Sequence, residues 1–331
     1  MSKINAEVIL MLKKIACILF LLIVPFMLVV SGCGKVSSDT SGPDAAAAPG
    51  NGSKLNVQML DVDQGDAILI RTGEQTILID TGDDKIRAGK HKGENNNRLF
   101  EALDSLGITH IDKLIITHAH NDHMGLAAKV IKRYDVAELV YNGIPSANKG
   151  FRNMLTAANN KGVKKSKVKA GDVLDFGNDV SFKVLSPSLK LVEEDTKQQG
   201  SSSADEAPKI NVNNESIVGR LTFGDFSMLL TGDAEKEIEQ ELLQEYGNEL
   251  TCKVYKVSHH GSKTSSSKEF LQAIKPELAI ISCGVDNQYG HPHKITMKKF
   301  ATLGIKALET DLNGTITIES DGVSYSARGE R

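Results

Sequence analysis

Cysteine is scarce, with four in 331 residues, too few for the disulfide framework that staples small secreted domains. Cys17 falls in an N-terminal apolar stretch, while Cys252 and Cys283 lie in strand-like apolar surroundings, where a buried thiol acts as a small hydrophobe. A disulfide between the latter two stays open outside the cytoplasm. Excess positive charge is also missing. The formal charge is −3, so overall charge does not recruit nucleic acid, although a local basic surface still can. Long hydrophobic runs are absent too: the apolar stretch from Ile15 to Val30, interrupted by Pro25, is short for the ~20 residues of a membrane span. What is there, 40% hydrophobic and 24% charged residues, is an ordinary globular composition with enough chain to bury a full core.

The N-terminal stretch, from Lys13-Lys14 through the apolar run to small residues at Ser31-Gly32-Cys33, has the layout of a targeting segment. Leu28-Val29-Val30-Ser31-Gly32-Cys33 resembles the lipobox of bacterial lipoproteins. That resemblance implies cleavage before Cys33, lipidation of the new terminus, and an extracytoplasmic protein held to the membrane by its lipid; an uncleaved anchor is the alternative. Residues 1–32 are thus expected to be a signal peptide. Residues 33–53, rich in Gly, Ser, Ala and Pro, have almost nothing to bury and read as a flexible tether. The folded domain is expected over 54–331.

Within it, short β-branched runs alternate with helical patterns. Strands are expected near 55–60, 66–71, 75–80, 113–117, 137–142, 180–185, 216–223, 226–231, 253–258, 278–282 and 314–319. Helices are expected near 97–106, 125–134, 151–160, 234–245, 267–274 and 294–303. Such an order suits sheets covered by helices. Residues 83–96 and 187–209 look like long loops, either insertions or lids. The lysines at 161, 164, 165, 167 and 169 form a run that is more often a solvated face than a binding patch.

The chemistry concentrates at strand ends. Leu114-Ile115-Ile116-Thr117-His118-Ala119-His120-Asn121-Asp122-His123 carries an apolar strand straight into three of the chain's nine histidines and a carboxylate. Imidazole nitrogen and carboxylate oxygen are ligands for Zn²⁺, Mn²⁺ or Fe²⁺. Leu229-Leu230-Thr231-Gly232-Asp233 and Val254-Tyr255-Lys256-Val257-Ser258-His259-His260-Gly261-Ser262 repeat the layout. A carboxylate such as Asp233 can bridge two cations, which together generate a nucleophile at neutral pH and clamp the oxygens of a displacement. Asp80, closing the strand Thr76-Ile77-Leu78-Ile79, is a candidate acceptor that orients a ligand histidine. His291 and His293 flank Pro292, where a structural turn competes with a site role.

The order Asp-Thr-Gly, Thr-His-x-His-x-Asp-His, Thr-Gly-Asp, His-His-Gly-Ser resembles the metallo-β-lactamase superfamily. The flanking stretches Leu60-Asp61-Val62-Asp63-Gln64-Gly65-Asp66-Ala67, Asn213-Asn214-Glu215-Ser216, Ile281-Ser282-Cys283-Gly284, Tyr289-Gly290-His291-Pro292 and Thr310-Asp311-Leu312-Asn313-Gly314 are similar to the extracytoplasmic domain of ComEC-type competence proteins. The resemblance implies an α/β fold, a four-layer αβ/βα sandwich with the metals at the mouth between the sheets, and hydrolysis of a phosphodiester or another bond. The implied metal ligands are His118, His120, Asp122, His123, Asp233 and His260. Asp122, Asp233 and His259 are the implied catalytic groups; one of the His259-His260 pair binds metal, and resemblance to phosphorylcholine-esterase relatives with the same His-His-Gly-Ser favours His260, leaving His259 to touch substrate or donate a proton. Asp80, Asn213, Asn214, Ser262 and His291 are expected to support the site or contact substrate. Ser262 and its polar neighbours precede a helix near 267 whose N-terminus suits a phosphate oxygen.

Two departures matter. Most members of the superfamily have a further metal-binding histidine between the first cluster and the bridging aspartate, yet no histidine occurs from Met124 to Asp233. Asn213 or Asn214 is the nearest substitute, and an amide oxygen shifts preference from Zn²⁺ toward Mn²⁺. Asp63 stands where the ComEC-like pattern usually has glycine. The expectation is a lipid-anchored enzyme using two divalent cations, Zn or Mn, on a phosphodiester such as DNA, with no obligate protein partner legible. A phosphorylcholine or teichoic-acid esterase is the second reading. A non-catalytic envelope-binding lipoprotein is the third, and the complete ligand run argues against it.

Overall fold

Short aliphatic runs pair into two sheets in the computed structural model, which describes residues 55–87, 91–200 and 211–331. The expected signal peptide, the tether and the lipidation site Cys33 lie outside the described residues. The first sheet contains β1 (Leu55–Met59), β2 (Ile68–Arg71), β3 (Thr76–Ile79), β4 (His110–Ile116), β5 (Asp135–Tyr141) and β6 (Lys164–Lys167). The second contains β7 (Val173–Asp175), β8 (Ser181–Ser186), β9 (Val218–Phe223), β10 (Phe226–Leu230), β11 (Val254–Lys256), β12 (Leu278–Ile281) and β13 (Lys306–Glu309). β14 (Ile316–Ser320) and β15 (Tyr325–Gly329) return to the first sheet. The strand orders are 15-14-1-2-3-4-5-6 and 13-12-11-10-9-8-7.

Side-chain alternation sorts these strands into layers, because successive residues point to opposite faces. Ile68, Ile70, Ile77, Ile79 and Ile115 face Val184, Leu221, Met228, Leu230 and Ile280 in one buried cluster between the sheets. Their sequence neighbours Leu69, Leu78 and Leu114 turn the other way. They pack under Leu99 and Leu103 of α1 (Arg98–Ser105), Val130 of α3 (Ala127–Arg133), and Met154 of α4 (Lys149–Asn160); α2 is the single turn Asn121–Met124. On the second sheet, Leu229, Tyr255 and Ala279 meet Ile238, Leu242, Phe270 and Phe300 from the outer helices. Two sheets with helices on both outer faces make the αβ/βα sandwich.

Strands β3 to β6 are mutually parallel, as are β10 to β13. Their carboxyl ends therefore share one rim of each sheet, and every expected metal ligand follows such an end. This is where open α/β sheets leave room for ligands.

Several expectations needed correction. Residues 189–200, read as part of a loop, form the helix α5 (Leu189–Gly200), whose apolar residues are too few to mark a clear stripe. Strands β6, β7, β13 and β15 went unseen because they are short or polar. The lysine run sits on β6, which pairs with β5 alone at the sheet edge. Lys164 meets Glu138 at 2.9 Å, Lys169 meets Asp172 at 3.3 Å, and Lys161 donates to the Tyr134 carbonyl at 3.1 Å. Charged edge strands block pairing with other chains, so this run has a structural reason to be there. Cys252 and Cys283 are buried free thiols, and burial pushes the Cys252 thiol up to about 12. Among the described residues no helix is long and apolar enough to cross a membrane.

Candidate metal centre

The loop after β4 turns at once into α2, and that turn distributes its side chains. His118 and His120 stay on the extended segment, with His120 as the residue preceding the helix. Asp122 and His123 rotate onto the helical turn behind them. Asp233, after β10, lies between the two groups. Its Oδ2 is 3.9 Å from His118 Nε2, and its Oδ1 is 3.2 Å from His123 Nε2 and 3.6 Å from His260 Nε2. Asp122 Oδ2 completes the second group, 3.4 Å from His260 Nε2. Two sets of ligand-type atoms thus meet at one carboxylate: His118, His120 and Asp233, then Asp122, His123, Asp233 and His260, each set lying within 4.8 Å.

Whether these groups fit a metal is decided by their unused valences. His123 Nε2, Asp233 Oδ1 and His260 Nε2 are buried and have no hydrogen-bond partner among the described residues. A buried polar atom without a partner costs about 1–3 kcal/mol, and here three face the same small volume. Divalent cations would satisfy them together, so the residues fit the metals the sequence implies.

The surroundings fix which nitrogen faces inward. His123 Nδ1 donates to Asp80 Oδ2 at 2.7 Å, and Asp80 also accepts from the Thr117 amide at 2.8 Å and hydroxyl at 2.7 Å. His118 Nδ1 donates to Ser216 Oγ at 3.2 Å, while the same oxygen accepts from the Asp233 amide at 3.0 Å. His260 Nδ1 donates to the Ser282 carbonyl at 2.9 Å. Each bond spends the δ nitrogen and leaves the ε nitrogen for a ligand, the usual tautomer control around metal-binding imidazoles.

The paired histidines part because the backbone turns sharply. His259 and His260 both have positive φ, 50° and 53°, a conformation L-residues rarely adopt outside constrained sites. Consecutive imidazoles consequently point to opposite sides of Asp233: His260 joins Asp122 and His123, and His259 Nε2 comes 3.8 Å from Asp233 Oδ2. His259 Nδ1 is held by Glu235 Oε1 at 3.2 Å and lies the same distance from Thr264 Oγ1.

Glu235 is also what separates the two asparagines. Asn214 Oδ1 accepts from the Glu235 amide at 2.9 Å, so its oxygen is spent on the backbone. Asn213 Nδ2 donates to Glu235 Oε1 at 3.2 Å. Since only the amide nitrogen can face a carboxylate, Asn213 Oδ1 is turned away from it and is buried. Its side-chain interaction with His120 raises that imidazole against the effect of burial, which sets it beside the ligand-poor group. The remaining sequence candidates lie farther out. Ser262 braces a loop, bonding Thr264 Oγ1 at 3.0 Å and accepting from Thr296 at its carbonyl. His291 stacks against His260 with ring centroids 6.1 Å apart. The phosphate expected at the helix near 267 has no place there: Glu239 Oε2 accepts the Ser267 amide at 2.9 Å, and Ser267 Oγ caps Phe270.

Electrostatics divide the two halves. Burial lowers His118 well below its ordinary value, aided by His123, and burial also lowers His120. His123 and His260 are buried as deeply, but Asp233 with Asp80 raises the first well above its ordinary value, and Asp233 with Asp122 raises the second. Burial opposes the charge of Asp122 and Asp233, yet the imidazoles outweigh it and hold both carboxyls low.

Sequence reasoning missed three parts of this centre. Glu235 is the first. The others are Lys256, fully buried in β11, and Asp66, whose Oδ2 it meets at 2.8 Å. Asp66 Oδ1 lies 3.5 Å from His260 Nδ1, and the Asp66 amide donates to the Asp122 carbonyl at 3.0 Å, so this residue ties three site segments together. A lysine amid Val254, Tyr255 and Val257 was a legible signal, since buried charges are paired. Asp63 also gains a reason. Its φ is +67°, a position glycine takes freely and aspartate tolerates better than most residues, and its Oδ2 accepts the Arg87 amide at 3.3 Å. Gly65 admits no such exchange, because a Cβ there would meet the Asp122 carbonyl oxygen at 2.2 Å.

The fold and these clusters define a metal-binding αβ/βα protein with room for two cations. The chain belongs to the metallo-β-lactamase superfamily, whose family model matches residues 60–285. It is 38% identical over 274 residues to ComE operon protein 3 of Bacillus subtilis, covering 80% of this chain and 33% of that one. Competence protein ComA of Neisseria gonorrhoeae is 31% identical over 270 residues, covering 82% and 33%. The chain thus spans about a third of the length of these curated relatives. Among solved structures, the metallo-β-lactamase fold protein YhfI of Bacillus subtilis aligns with 80% of this chain and 100% of its own at TM-score 0.51 and 8% identity. CmlA of Streptomyces venezuelae, a diiron β-hydroxylase, aligns with 81% and 54% at TM-score 0.50 and 16% identity. Members of the superfamily are metal-dependent hydrolases; CmlA shows that the fold alone does not choose the reaction.

Proposed function

We propose that this protein is a metal-dependent phosphodiesterase acting on nucleic acid outside the cytoplasm, tethered to the membrane by lipid on Cys33. The observation that carries the hydrolytic reading is the convergence of unpartnered His123 Nε2, Asp233 Oδ1 and His260 Nε2 beside His118 and His120. Nucleic acid as substrate is supported by 38% identity to a ComE operon protein and 31% to a competence protein. Export is supported by the lipobox-like Val30-Ser31-Gly32-Cys33.

His118, His120 and Asn213 Oδ1 would hold one cation and Asp122, His123 and His260 the other, with Asp233 shared. Zn or Mn there would supply a nucleophile at neutral pH and positive charge against the phosphate oxygens. The protein's own groups do the rest. Asp80, Ser216 and Ser282 keep the imidazoles in register, so no ligand reorients during turnover. His259, oriented through Nδ1 by Glu235, presents Nε2 toward the Asp233 side, where it can give a proton to a leaving oxygen. Asp66 and Lys256 hold the Asp122 and His260 segments at a fixed spacing.

The test is hydrolysis by the purified chain, supplied with Mn²⁺, Zn²⁺ or Mg²⁺, of single-stranded DNA, duplex DNA, RNA and phosphorylcholine esters. Metal-dependent cleavage of a nucleic acid is expected. Release of phosphorylcholine with no nucleic-acid cleavage would replace this reading with the esterase. Mass spectrometry of the mature protein tests the anchor, and an intact residue 1–32 segment rules it out.

A further inference from the structure

The loop joining β12 to the helix Lys294–Leu303 carries a row of rings that leads from the metal centre to solvent. His260 lies at its inner end, and His291 stacks on it at 6.1 Å and 29°. Tyr289 stacks on His291 at 5.6 Å and 21°, nearly parallel. Tyr289 is 50% exposed, more than any other phenylalanine or tyrosine among the described residues. One of its faces is covered by His291.

The row is braced before anything binds. Asn287 Oδ1 accepts the His291 amide at 2.9 Å, and Asn287 Nδ2 donates to the Gly284 carbonyl at 3.0 Å and to the His291 carbonyl at 2.6 Å. Val285 and Ile295, 52% and 57% exposed, extend an apolar margin along the same segment. Arg87, held by Asp83 at 2.5 Å, is close enough for Tyr289 to act on it, and the Lys263 amide donates to His293 Nδ1 at 3.1 Å.

We infer that Tyr289 is a stacking platform for the nucleobase next to the scissile phosphate, which makes single-stranded nucleic acid the substrate class of this site. The inference rests on the phosphodiesterase reading above. A flat, preorganised ring with one open face suits a planar base, because every base has a π-face and little ordering remains to be done on binding. A quaternary ammonium would call for several rings around it, whereas Tyr289 offers one exposed ring. A base paired inside a duplex cannot reach such a ring without leaving its stack, so single strands are favoured.

The experiment has a binding arm and a turnover arm, both on the full chain. A phosphorothioate-linked single strand carrying 2-aminopurine reports stacking by loss of fluorescence. Tyr289→Ala should weaken its binding about 5- to 100-fold and abolish the quench, and Tyr289→Phe should retain both. In cleavage of ordinary single strands, Tyr289→Ala should raise KM by a similar factor with kcat nearly unchanged. A strand with an abasic residue beside the cleaved bond should be handled equally by wild type and Tyr289→Ala. If single strands are cleaved but the alanine variant matches wild type in KM and quench, the platform is wrong and the phosphodiesterase reading stands. If no phosphodiester is cleaved but the quench and its loss are seen, the platform stands and the activity reading fails. Tighter dependence of phosphorylcholine binding than of the 2-aminopurine strand on Tyr289 would also overturn it.

Discussion

The two halves of the metal centre share Asp233 and little else. One half has two imidazoles with the Asn213 amide beside them, and burial lowers both His118 and His120. The other has two imidazoles and Asp122, with His123 and His260 raised by the carboxylates around them. The carboxylates favour a proton on the second pair, and burial disfavours one on the first. The difference teaches that two neighbouring sites of similar ligands can differ in how strongly metal binding is linked to pH, because metal must displace a proton only where a carboxylate has stabilised one.

The largest effect should come from removing what the halves share. Asp233→Asn is expected to lower bound metal in both and to reduce turnover about a thousandfold or more. His110→Ala is the control: His110 lies at the start of β4, paired with Asp135 at 2.7 Å on the surface, and such exposed pairs contribute about 1 kcal/mol or less. Equal loss in both variants, measured by metal content and turnover, would mean that Asp233 is not the bridge.

Splitting the halves comes next. Calorimetric metal titrations at neutral pH, in buffers of different ionisation enthalpy, should show net proton release for the wild type. His260→Asn should reduce the release along with one equivalent of metal, whereas His120→Asn should lose metal and keep the release. Unchanged release in His260→Asn would break the contrast. Substituting the amide sharpens it further: Asn213→His supplies imidazole to the poorer half and should shift the Zn²⁺-over-Mn²⁺ preference about tenfold or more toward Zn²⁺. The same substitution at Asn214, whose oxygen holds the Glu235 amide, should instead cost stability without that shift.

The smallest effect belongs to His291 at the edge of the centre. Burial, with His260, His259 and His293 nearby, lowers its pKa to about 3. An unfolded chain takes up that proton near 6.5. Between those values the unfolded state holds more protons, so the metal-free fold loses stability as pH falls from about 6.5 toward 3. The slope is below about 1.4 kcal/mol per pH unit, because solvent screens part of the effect. His291→Asn should flatten this part of the Tm profile; an unaltered profile would mean the imidazole titrates normally in the fold.

Much of this was legible from local pattern. Apolar runs ending in His or Asp announced the ligand-bearing strand ends, because a buried strand that stops at polar groups must present them at a sheet rim. α5 was hidden by its polarity, and β6 by lysines that look like a solvated face until an edge position explains them. Asp63 looked like an unexplained loss of glycine until its positive φ was known.

By itself the sequence determined the sheet-and-helix layering, through side-chain alternation, and the donor types of the metal centre, through histidines and aspartates at strand ends. Only the tertiary structure decided how they divide. It sent His259 and His260 to opposite sides of Asp233, spent the oxygen of Asn214 and left that of Asn213, and joined Lys256 to Asp66 across 190 positions. The physical reason is range: alternation and donor chemistry are properties of a few consecutive residues, whereas a buried partner is chosen by which strands the sheet order places side by side.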